Sequence, residues 1–119
     1  MQIIDLNSNF KGELEIVIRE KKATNEIAIE LHVLSFSFEE ILSLIPLGQY
    51  DEDSVIYNYF KGNAWYDSEW ECKRVQEFYN QLLAMNGNVP SQEVEVYNAI
   101  KSICNSTLIN NNRLFIELV

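Results

Sequence analysis

The sequence predicts a single α+β domain over residues 1–119, with an antiparallel sheet packed against two main helices. Three observations lead there. Segments in the first third alternate apolar and polar residues with a period of two. Two later segments repeat apolar residues every three or four positions, the spacing of one helix face. A chain of 119 residues, 47% of them hydrophobic, can fill one core but not two.

Taken in order, Ile3, Ile4 and Leu6 can begin a short strand. Leu14, Ile16 and Ile18 alternate with charged neighbours, and so do Ile27, Ile29, Leu31 and Val33. Lys21-Lys22-Ala23-Thr24-Asn25 between them suits a hairpin loop, giving an antiparallel pair with Glu15 and Glu30 on its solvent face. Ser37 and Glu40 have capping-box spacing before an apolar run, and Pro46 stops any helix there. Residues 51–61 fit two readings. Asp51-Glu52-Asp53-Ser54 can open a helix, but the β-branched and aromatic residues of Val55–Phe60 favour a strand or an irregular aromatic segment.

The clearest helix is expected from Ser68 to Asn86. Ser68 and Glu71 have capping-box spacing, and Cys72, Val75, Phe78, Tyr79, Leu82 and Leu83 form a stripe ahead of Gly87. A second helix is expected from Ser91, with Val94, Tyr97, Ile100, Ile103, Cys104 and Leu108 on one face. After the polar turn Asn110-Asn111-Asn112, Leu114–Val119 reads as a last strand tied into the sheet.

The first residues lack the basic start, apolar run and cleavage site of a secretory signal. No stretch approaches the roughly 20 apolar residues of a bilayer span. Cys72 and Cys104 both lie in apolar stripes, where buried reduced thiols are expected. The expectation is a cytoplasmic protein without a membrane partner.

Little points to catalysis. His32, the only histidine, sits on the polar side of an expected strand and reads as a surface or packing residue. Asp51-Glu52-Asp53 lacks the glycine and later glutamate of a calcium loop. Glu39 and Glu40 are adjacent, so on a helix they point apart. Glycine-rich phosphate loops, zinc-protease motifs and nucleophile elbows are missing, so no enzyme activity, metal or cofactor is expected. Lys21-Lys22 and Lys73-Arg74 are isolated basic pairs with acids nearby, which disfavours direct nucleic-acid binding.

The charge map says more. Nine basic against eighteen acidic residues give a net charge of −9. Residues 39–77 alone carry nine acids and three bases. The same third holds Tyr50, Tyr57, Tyr59, Phe60, Trp65, Tyr66 and Trp70. Rings among carboxylates suit an interface for a basic protein: the rings anchor, and the acids steer and pair. The expected partner-binding residues are Asp51, Glu52, Asp53, Tyr59, Trp65, Tyr66, Asp67, Glu69, Trp70 and Glu71. Packing of several of these rings into the core is the competing reading.

The segment Gly62-Asn63-Ala64-Trp65-Tyr66-Asp67-Ser68-Glu69-Trp70 is the nearest thing to a signature. In size, acidity and α+β pattern the chain resembles the bacterial immunity proteins of contact-dependent growth inhibition and related polymorphic toxin systems. The resemblance implies a small cytoplasmic inhibitor whose partner is a cognate toxin C-terminal domain, in many such systems a basic nuclease. Three alternatives remain: a phage-type nucleic-acid mimic that blocks a defence enzyme with a broad acidic stripe, a subunit or adaptor of a larger complex with a large apolar face, and a small hydrolase with a concave site of converging polar groups.

Overall fold

The computed structural model describes residues 1–9, 12–62, 64–66 and 68–119. Its strands are β1 (Gln2–Asp5), β2 (Glu15–Lys21), β3 (Ile27–Leu34), β4 (Trp70–Cys72) and β5 (Arg113–Leu118). They form one sheet in the order β1-β3-β2-β5-β4.

The β2–β3 hairpin follows the sequence pattern. Ile16 faces Val33 and Ile18 faces Leu31, so the alternating apolar residues share one side. Asn25 takes a φ of 69° in the connecting turn, a left-handed conformation that asparagine tolerates. β5 pairs antiparallel with the other edge of β2, and β4 with β5. β1 runs parallel to β3, so the sheet is mixed and not wholly antiparallel. Alternation over four residues marks a strand but carries no direction, which is why the sequence pattern could not reveal this pairing.

The helices are α1 (Ser35–Leu42), α2 (Val55–Tyr57), α3 (Val75–Ala84) and α4 (Val94–Ile109). A π-helical turn, Asn58–Gly62, continues α2, and a 3₁₀ turn, Ser91–Glu93, leads into α4. α4 lies on β2, β3 and β5, and α1 packs on β2 and β3. α3 packs on α4, tied by the Tyr97 hydroxyl, which donates to the Leu82 carbonyl at 2.6 Å. The core between sheet and helices includes Ile16, Ile18, Leu31, Val33, Phe38, Phe78, Leu82, Ile100, Ile103 and Ile116. No helix is long and apolar enough to cross a membrane, among the described residues.

Three expectations change. The helix expected over 68–86 is a strand followed by a shorter helix. Trp70 and Cys72 pair with Ile116 and Leu114 in β4, so Cys72 reaches the core from the sheet. The edge of β5 outcompetes the local capping spacing, since backbone pairing outweighs a weak local preference. Ser37 is buried inside α1 and does not cap it; β3 passes directly into the helix at Leu34, with no side-chain cap. Residues 55–62 are helical, so of the two readings the helix opened by Asp51–Ser54 holds over the favoured strand or irregular segment. Ser54 caps that turn by accepting from the Tyr57 amide, and its own hydroxyl donates to the Asp51 carbonyl.

Candidate functional site

The side of the sheet away from the helices carries a connected ion-pair layer. Arg19 Nε donates to Glu30 at 2.7 Å, and Arg19 Nη1 donates to both Glu69 and Glu117 at 2.8 Å. Lys21 also reaches Glu69. His32 stands between two carboxylates, with Nδ1 2.9 Å from Glu15 and Nε2 3.0 Å from Glu30. Asn7 Nδ2 donates to Glu15 at 2.9 Å. Beneath these groups Val17, opposite His32 and Glu117, is only 1% exposed.

The electrostatics follow from the contacts. Burial opposes the charge of Arg19, but hydrogen bonds from Glu117, Glu30 and Glu69 outweigh it and hold the guanidinium more firmly protonated. The Arg19 hydrogen bond, then that of His32, lowers the Glu30 pKa. Burial disfavours a charged His32, yet Glu15 and Glu30 outweigh it and raise the imidazole pKa. Burial also opposes ionisation of Glu69, and Lys21 and Arg19 reverse the balance. This layer is a cross-brace for the sheet. Glu15 and Glu30, expected as plain solvent-face acids, are half-buried parts of it.

The expected partner-binding residues do not stay together. Arg74 pairs with Asp51 at 2.5 Å and also with Asp53, and it lowers the Asp53 pKa. Glu52 is exposed. Glu69 belongs to the cross-brace, and Glu71 lies 3.7 Å from Arg113. Trp65 is 2% exposed, edge-on to Phe38 and 5.4 Å from the half-buried Trp70. Its carbonyl accepts from the Leu118 amide at 2.8 Å. Trp65 is therefore a core residue, with no surface for a partner to grip. The expectation for Asp67 lies outside the described residues.

Tyr59 and Tyr66 do come together, with two acids that the sequence reading set apart. Burial raises the Tyr59 pKa, and Glu39, Tyr66 and Glu40 add to the effect. Adjacent helical residues diverge, yet the charges of both carboxylates of α1 act on one tyrosine. Tyr59 also packs against Phe60, with ring centroids 4.8 Å apart and the planes tilted by 50°. Phe60 is 55% and Tyr66 40% exposed. Among the described residues, neither Glu39 nor Glu40 makes a salt bridge.

The turn presenting these rings is firmly built. Buried Asn58 donates to the carbonyls of Glu52 and Ser54, both at 2.8 Å. A β-carbon on Gly62 would lie 2.5 Å from Asn58 Oδ1, so glycine alone fits there without a shift. Phe60 also borders a cleft of about 350 Å³, shared with Leu47, Tyr50, Ile56, Tyr57 and Lys61. π-Helical turns are rare and recur at functional sites.

The chain matches no protein-family model, no curated protein and no solved structure. The site is thus judged on its own chemistry. Among the described residues, no three His, Cys, Asp or Glu side chains converge to hold a metal. Burial pushes the Cys72 thiol up to about 12 and Cys104 well above its ordinary value, so both remain protonated and unreactive in the fold. The α1 flank offers two half-buried carboxylates, Glu39 and Glu40, without salt bridges among the described residues, and the exposed rings of Phe60 and Tyr66.

Proposed function

We propose that the protein is a non-catalytic immunity protein that binds a cognate basic toxin domain, of nuclease type, through an acidic and aromatic surface. One observation carries the reading: Glu39 and Glu40 make no salt bridge among the described residues, and both act electrostatically on Tyr59, whose ring lies against the exposed Phe60. Desolvating such acids is unfavourable unless a cation meets them, and the rings supply area that becomes favourable once covered. A positively charged surface satisfies both demands. The acid surplus steers that surface in from a distance, an effect that salt weakens.

Relative to the sequence-based set, the interface moves towards α1. Tyr59 and Tyr66 remain in it, and Glu52 stays exposed on the turn before them. Asp51, Asp53, Glu69 and Glu71 already have intramolecular cations, and Trp65 supports the surface from below.

The test is co-expression of the tagged chain with the polypeptide encoded beside its gene, followed by mass spectrometry and a nuclease assay. A stoichiometric complex that silences the neighbour's activity supports the proposal. A folded, active neighbour that neither binds nor is inhibited overturns it. In the complex, salt should slow association more than it speeds dissociation.

A further inference from the structure

We propose that the groove where the approach to β2 meets the start of α1 receives one arginine side chain of the partner. The inference rests on the reading of the protein as a binder of a basic protein, and it names the part of that protein that is gripped.

The groove has a volume of about 200 Å³ and is lined by Glu13, Leu14, Leu34, Ser35, Phe36 and Glu39. Its walls are set by the backbone. The Ser35 amide donates to the Leu14 carbonyl at 2.9 Å, fastening the approach to β2 against the junction of β3 and α1. With no loop at that junction, Phe36 falls on the outer side of α1 while Phe38 and Ile41 fill the core. Phe36 is 60% and Leu14 62% exposed. The groove thus sets the apolar side chains of Leu14, Leu34 and Phe36 beside a carboxylate from each of two chain segments and one hydroxyl.

The lining contains no cation, and neither Glu13 nor Glu39 makes a salt bridge among the described residues. An apolar occupant would strip water from both carboxylates and return nothing. An anion would be repelled. The complementary occupant is apolar over its stem and cationic at its tip. Arginine meets this description in full: its methylenes lie on leucine, its planar guanidinium stacks on a ring, and its five N–H donors serve two carboxylates at once. Lysine supplies charge and stem but neither the stack nor the fork.

The test uses isotope-labelled protein titrated with Nα-acetyl-arginine methylamide and followed by amide NMR. Its citrulline and lysine counterparts serve as comparisons. The expected result is saturable shifts at Glu13, Leu14, Ser35, Phe36 and Glu39 with the arginine probe. Citrulline should give none, and lysine should bind more weakly. Glu39→Gln and Phe36→Ala should each weaken arginine binding by about tenfold, with the rest of the spectrum unchanged. Absent shifts, shifts that rise without saturation across the acidic surface, or equal binding of citrulline or lysine would overturn the arginine assignment. The titration needs no toxin, so the two ideas can fail separately. A cognate complex with no arginine binding removes the groove alone. Saturable arginine binding without a cognate complex leaves the groove standing and removes the immunity reading.

Discussion

Arg19 on β2 donates to Glu69 at 2.8 Å across 50 residues of chain, and the same nitrogen donates to Glu117 on β5. One cation therefore holds the segment entering β4 against the middle of the sheet. Arg19→Met keeps most of the stem but leaves Glu30, Glu69 and Glu117 without that cation. The expected loss of stability is about 2 kcal/mol, below the full penalty for breaking a buried pair because water reaches part of the group. Urea unfolding measures it. An unchanged midpoint would show that the layer is no brace.

Stability should also report on His32. The unfolded imidazole loses its proton near pH 6.5, and the folded one holds it to higher pH. Its contribution is therefore complete below about pH 6.5 and fades as pH rises through the folded value. Glu30 and Glu69 act oppositely. Their pKa values are lowered from 4.5, so their contribution is present above that value and is lost as pH falls through the folded values. A stability optimum between these windows is expected. His32→Gln should flatten the upper limb, and the imidazole NMR titration should place the folded value above the unfolded one.

Asn58 and Gly62 test the construction of the π-helical turn. Asn58→Ala abandons the Glu52 and Ser54 carbonyls and should destabilise the fold by about 2 kcal/mol. Gly62→Ala pushes a β-carbon against Asn58 and should cost about 1 kcal/mol. Combined with Asn58→Ala, the glycine substitution should lose most of its effect, because the clashing atom is gone. Additive losses in this double-mutant cycle would contradict the assigned contact.

Two neighbouring rings should separate stability from binding. Trp65→Ala opens a core cavity and should cost about 4 kcal/mol. Tyr66→Ala should change stability by less than about 0.5 kcal/mol yet weaken the toxin complex by about tenfold or more. Calorimetry of each variant, alone and with its partner, distinguishes the two roles. Normal affinity for Tyr66→Ala would take the interface away from the α1 flank.

The β2–β3 hairpin and α4 were legible because their apolar periods persist over many residues. β4 was not: Trp70-Glu71-Cys72 alternates for three residues only, and the same residues also fit a helical stripe. Whether Val55–Tyr59 becomes strand or helix depends on the Asn58 side chain, which supplies hydrogen bonds that composition does not show. The acidic, aromatic character of the middle third was visible, but its arrangement was not. Asp53 is neutralised by an arginine 21 residues away and Glu69 by one 50 residues away. Among the described residues Glu39 and Glu40 are left without such cations, and only the folded chain reveals which acids these are.

β5 is the last strand in the chain, yet it occupies an inner position between β2 and β4. During synthesis β4 emerges with no strand to receive it, and the Trp65 carbonyl waits for the Leu118 amide. Trp65 and Trp70 therefore both depend on residues of the β5 segment for a backbone partner. Removing Arg113–Leu118 takes away the bridge between two parts of the sheet and leaves β4 without its pairing partner.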